Sequence, residues 1–105
     1  MEEIIEALEK LGWTYTEKIW NDGTVMSYKF RRDDAIVGDA YWEISIEDHH
    51  DEGDNDDWII YTSYHDPKQR DWYGNQIDID CAVEYEVMKL IVKFVDILES
   101  ERKEG

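Results

Sequence analysis

The sequence predicts an α+β fold: a two-layer sandwich in which a four-stranded antiparallel meander carries an N-terminal helix and a long C-terminal helix on one face. Three observations predict it. Apolar residues recur at helical spacing only at the two ends of the chain, period-two alternation fills the middle, and turn-forming clusters too short for a crossover helix separate the alternating runs. Consecutive strands joined by short turns pair antiparallel, and two amphipathic helices flanking them bury their stripes on the sheet. At 105 residues there is room for one core, so residues 1–105 read as a single acidic domain.

Taken in order, Ile4, Ile5, Leu8 and Leu11 stand at i, i+1, i+4 and i+7, one stripe of a helix, and Gly12 follows as a stop. From Trp13 to Trp20 the residues turn aromatic and β-branched, and Asn21-Asp22-Gly23 supplies turn chemistry before a second strand that ends at Phe30. This hairpin has an apolar face of Met26, Tyr28 and Phe30. A third strand follows from clean alternation, with Ala40, Trp42, Ile44 and Ile46 on a buried face and Tyr41, Glu43, Ser45 and Glu47 on a wet, acidic one. Residues 58–65 form the fourth, in which Trp58, Ile60, Thr62 and Tyr64 oppose Ile59, Tyr61, Ser63 and His65.

Residues 66–76 hold the only proline, Pro67, together with Gly74 and read as a loop. Residues 77–80, Ile-Asp-Ile-Asp, fit either a short strand or the approach to the last helix. From about Cys81 to Glu101 the periodicity is helical, and between Val87 and Leu98 only Lys89, Lys93 and Asp96 are polar. A wet stripe this narrow means that the helix packs against the first helix as well as the sheet, or makes a homodimer interface.

Charge narrows the function. The 27 acids against 11 bases give a formal net charge of -16. Nucleic acid and anionic lipid both require cationic groups, so direct binding to either is excluded and basic proteins or divalent cations remain. The single cysteine, Cys81, makes no internal disulfide and is too few for a thiolate zinc site. Acids stand at the start of the chain where a signal peptide carries bases, and no apolar run reaches membrane-span length. A cytoplasmic protein is expected.

Residues 47–58 concentrate seven carboxylates and two histidines with no Lys or Arg. As a metal site the segment fails the EF-hand pattern: with Asp48 as first ligand, the bidentate acid at the twelfth position is Ile59. Neither HExxH nor a paired-cysteine spacing occurs. Adjacent His49 and His50 read as solvated surface, their protonated form favoured by the acids around them. His65-Asp66 is an orienting pair with no nucleophile placed by motif, since Ser45 and Ser63 lie in strands without a GxSxG elbow, and no glycine-rich phosphate loop exists. Cys81 near a helix start gains from the dipole, but Asp78, Asp80 and Glu84 oppose a thiolate, so it reads as an inert small residue. No catalytic residue, cofactor or specific metal site is expected, and the chain is not read as an enzyme.

What remains is uneven charge. From Asp33 to Pro67 inclusive there are twelve acids and no Lys or Arg. Glu43 and Glu47 on the wet face of the third strand stand ~13 Å apart, about two phosphate spacings of an extended nucleic-acid strand. The expected function is therefore an acidic interaction protein, a nucleic-acid mimic that occludes a basic nucleic-acid-binding or nuclease site. Its contact residues are Glu43, Glu47, Asp48, Asp51, Glu52, Asp54, Asp56 and Asp57, with Trp58 or Trp72 as apolar anchor. The alternatives are a divalent-cation-binding module and a homodimeric structural module joined through the C-terminal helix. In composition the chain resembles the small acidic inhibitors carried by phages and mobile elements, among them anti-restriction and anti-CRISPR proteins, and the nuclease-immunity proteins. The likeness lies in composition alone and carries over no residues.

Overall fold

The chain folds as α1 (Glu2–Lys10), β1 (Thr14–Ile19), β2 (Met26–Asp33), β3 (Tyr41–Asp48), β4 (Trp58–Arg70), β5 (Gln76–Asp80) and α2 (Tyr85–Glu104). The computed structural model describes residues 1–19, 26–48 and 58–104, the side chains at 17–19, 77, 78 and 102–104 excepted. Residues 20–25, with Trp20 and the turn expected at Asn21-Asp22-Gly23, and the acidic run 49–57 lie outside the described residues.

The expected α+β sandwich is present, with five strands where four were expected. The sheet is an antiparallel meander in the order β1-β2-β3-β4-β5. The added strand is the Ile-Asp-Ile-Asp segment, too short for its alternation to decide between strand and loop. It pairs with residues already expected in β4, Asp78, Ile79 and Asp80 lying opposite His65, Tyr64 and Ser63, and the extension of β4 to Arg70 adds only Gln76 to the ladder. Pro67 sits inside the register irregularity between His65 and Arg70, where its missing N–H removes no ladder bond. The loop expected at 66–76 contracts accordingly to a turn around residues 71–75. The last helix starts at Tyr85, not Cys81, because Cys81 is held to β4: its N–H donates to the Thr62 carbonyl (3.1 Å) and its carbonyl accepts from Thr62 Oγ1.

α1 ends as its sequence dictates. Gly12, at φ 95°, takes the left-handed conformation that side-chain-bearing residues avoid, so its N–H reaches the Glu9 carbonyl and the Trp13 N–H reaches the Leu8 carbonyl, both at 3.0 Å. That reversal drops Trp13 into the core.

Register sets which residues share a face. Phe30 lies opposite Ile44, and Tyr28 opposite Ile46, on the side where Leu8, Val87, Ile91, Phe94 and Leu98 of the helices are buried. Both helices therefore cover one face, as expected. Phe94 is the central knob, its ring 5.3 Å from Phe30, 5.8 Å from Tyr28 and 5.9 Å from Tyr15, each edge-on as ring quadrupoles prefer. α1 and α2 also touch each other, which absorbs part of the apolar excess in α2.

Candidate functional site

The sheet orders the candidate residues into rows. The row Met26, Asp48, Trp58 closes one end, and Asp33, Tyr41, His65 lie near the other. Strand alternation places Glu43 and Glu47 on the face of β3 away from the helices, where Ser45 between them is buried and not wet as expected, and Asp48 on the helix-bearing side. The end of β3 thus carries one carboxylate toward each face. Asp48 and Trp58 are direct register partners, so the run 49–57 leaves and rejoins the sheet at this end. Asp51, Glu52, Asp54, Asp56 and Asp57 belong to that run and lie outside the described residues.

Glu43 differs from its neighbours. Lys29 on β2 reaches across to it at 3.6 Å, and both side chains are about three-quarters covered. Arg31 is its direct register partner. The guanidinium of Arg31 lies 3.8 Å from the Tyr41 ring centre and donates from Nε to Asp33 at 2.9 Å. The one-sign block counted along the chain is therefore interleaved with cations across the sheet, with Lys29 in the Ser45 row and Arg31 in the Glu43 row. Toward Asp48 the described acids include Glu99 on α2, while Arg31, Arg32, Lys68 and Arg70 stand in the upper rows and the β4–β5 hairpin. Lys18 shares the second row, beside Ser27 and Glu47.

Trp58 is a structural residue here. Its indole N–H donates to Glu99 Oε2 at 2.7 Å, its ring is 6.3 Å from Tyr28, and it is half-buried against the core. Trp72 is the opposite, 95% exposed beside Tyr73 at 86%. Both stand on a turn pinned by Asp71, whose Oδ1 accepts from the N–H groups of Tyr73 (2.8 Å) and Asn75 (2.9 Å), with Gly74 at φ 83° closing it. Trp58 and Trp72 lie at opposite ends of β4, roughly 40 Å apart at the strand rise. The two alternative anchors thus lie far apart, and Trp72 is remote from the acidic end.

Pairing also assembles groups that reading each strand alone did not join. Ser63 Oγ lies 2.8 Å from His65 Nε2, and the His65 ring stacks on Tyr41 at 4.8 Å and 16°. Strand alternation, which sets i and i+2 on one face, was the available signal for the Ser63 pair. Arg31 from β2 and His65 from β4 approach Tyr41 from its two neighbouring strands, giving a layered stack that ties three strands together. Behind the sheet end, Asp34 accepts from Tyr64 Oη at 2.7 Å and from the N–H groups of Ile36 and Val37, pinning the β2–β3 loop. The Tyr64 bond, then the Ile36 bond, hold the Asp34 carboxyl below its usual range, and the same contact pushes the Tyr64 phenol up to about 12. Cys81 is half-buried, and its thiol is pushed up by burial and then by Asp80, against Arg32. That opposes thiolate chemistry.

Among the described residues no three His, Cys, Asp or Glu side chains gather as metal ligands, and no helix is long and apolar enough to cross a membrane. No family model matches the chain, and no curated protein or solved structure is significantly similar to it.

Proposed function

We propose that this is an acidic interaction protein that mimics the charge of nucleic acid and occludes the basic site of a nucleic-acid-binding protein or nuclease, of the anti-defence or immunity kind. The contact is made by the Asp48 end of the sandwich: Glu47, Asp48, and Asp51, Glu52, Asp54, Asp56 and Asp57 of the connection between β3 and β4. The observation that carries this reading is the segregation of charge. The connection richest in acid leaves the sheet at the end opposite Arg31, Arg32, Lys68 and Arg70, with Lys18 and Lys29 the sheet cations nearer to it, so a positive groove meets an excess of carboxylates at this end. Glu43 drops to the margin of the surface because Lys29 already answers its charge.

The mechanism is competition. Carboxylates occupy the positions that phosphates take in the partner's groove, and long-range attraction accelerates association at low salt. The test is capture of an identified nuclease or nucleic-acid-binding protein on immobilised chain, followed by purification of that partner and displacement with duplex or single-stranded nucleic acid. Mutually exclusive binding is expected. A ternary complex of chain, partner and nucleic acid would sink the mimic.

A further inference from the structure

We infer that the outer face of α2 is a two-fold interface with a second copy of this chain, the two α2 helices running antiparallel about a point midway between Lys89 and Asp96. The inference goes beyond the proposed function and stands without it.

The outward stripe of α2 is Tyr85, Lys89, Val92 and Asp96, at spacings of four, three and four, the pattern of a helix seam. All four are exposed, Tyr85 at 76% and Val92 at 48%. Tyr85, Met88, Lys89, Val92 and Lys93 line a hollow of about 310 Å³ on this face. Its floor is apolar although the layer beneath is already closed: Val87, Ile91, Phe94 and Leu98 fill the core on the opposite side of the same helix. α1 covers only one flank, through the groove lined by Ala7, Leu11 and Leu90. The apolar residues at Tyr85 and Val92 thus serve neither the sheet nor α1.

Charge selects the occupant and its direction. Lys89 and Asp96 are seven residues apart on one stripe, ~10.5 Å along the axis. A two-fold axis between them sets Lys89 against the partner's Asp96, and Asp96 against the partner's Lys89, while Val92 and Lys93 flank the centre and lie against the partner's Lys93 and the partner's Val92. Parallel helices in register would instead juxtapose lysine with lysine and aspartate with aspartate. Neither Lys89 nor Asp96 makes an ion pair among the described residues; Lys89 Nζ lies 5.2 Å from the Tyr85 ring centre and borders the groove shared with Glu3, Glu6 and Glu86, so pairing with the partner's Asp96 competes with that exposed cation–π contact. The face also carries Lys93 and is locally near neutral in a chain of net charge -16, which makes it a face on which two copies can meet. One helix pair covers less than the ~800 Å² per partner of a standard interface, so the dimer is weak and concentration-dependent.

Sedimentation equilibrium of the full chain over a concentration series tests this. Lys89→Asp and Asp96→Lys are each expected to weaken dimerisation at least about tenfold, because symmetry makes every substitution act twice. The double variant, Lys89→Asp with Asp96→Lys, restores it to within roughly threefold. All sites are exposed, and unchanged far-UV circular dichroism verifies folding. A monomer at every concentration, single variants without effect, or a double variant that fails to recover would each overturn the proposal.

Discussion

Replacing Arg32 should unlatch the sandwich at the end remote from Asp48. Its guanidinium lies 4.8 Å from the ring centres of both Trp13 and Trp42 and donates to Glu84 Oε1 at 3.0 Å. Its stem also runs against Gly12, so one side chain joins the end of α1, strands β2 and β3 and the approach to α2. Two partly covered cation–π contacts contribute about 0.5–1 kcal/mol each. The Glu84 pair adds ~0.5 kcal/mol, because Glu84 is 57% exposed. Losing the stem's packing removes roughly another 0.5 kcal/mol, so Arg32→Ala should cost about 2–3 kcal/mol. For a domain of this size that is a fall in Tm of roughly 10 °C. Arg32→Lys, which keeps the stem and charge but loses the planar fork, should cost about half as much. Urea denaturation followed by tryptophan fluorescence measures both. A cost for Arg32→Ala below about 0.5 kcal/mol, within the range of ordinary surface changes, would show that the two indoles hold their positions without it.

Trp58→Phe should destabilise by about 1–2 kcal/mol, because it leaves Glu99 without its indole donor and removes ring volume, whereas Glu99→Gln, which keeps an acceptor oxygen, should cost less; equal losses in urea would contradict the assigned bond. Trp72→Ala and Tyr73→Ala should each change stability by less than about 0.5 kcal/mol, since both rings stand in water. A larger drop in Tm would mean that the hairpin tip is structural. The Asp34–Tyr64 bond predicts two pH limbs. Tyr64, raised to about 12 from 10.0, stabilises fully below its unfolded value, and that stability is lost as pH climbs through the folded one. Asp34, depressed below 3.8, stabilises above its unfolded value, and the contribution is lost as pH falls through the depressed one. Tyr64→Phe should flatten both limbs of the urea midpoint against pH, and parallel curves would refute the coupling.

The elements were legible wherever a period could be counted. Ile4 to Leu11 spans two turns of helix, and Tyr41 to Glu47 holds enough alternations to exclude a helix. Residues 77–80 were ambiguous because four residues hold too few alternations to decide, and their pairing with Ser63 to His65 is tertiary; past Pro67, proline and charge signal a loop, and only the pairing of Arg70 with Gln76 makes that stretch a strand. The site was less legible than the fold because charge along a chain is not charge across a sheet. The run from Asp33 to Pro67 contains no cation, yet β2 lays Lys29 and Arg31 beside it. Trp58 and Trp72 looked equivalent as anchors, and their difference is tertiary. One follows a strand end that faces Glu99, and the other rides a turn that points away from everything.

The acidic end as a contact surface is tested most directly by the salt dependence of affinity for a purified basic partner. The comparison is between wild type, Glu43→Gln, and a variant carrying Lys at Glu47, Asp54 and Asp56. Wild type and Glu43→Gln should share a steep fall of affinity with salt, Glu43 being already answered by Lys29, and the triple variant should bind weakly with a much shallower slope. Equal affinities and equal slopes for all three would remove the Asp48 end from the contact and with it the proposed mimicry.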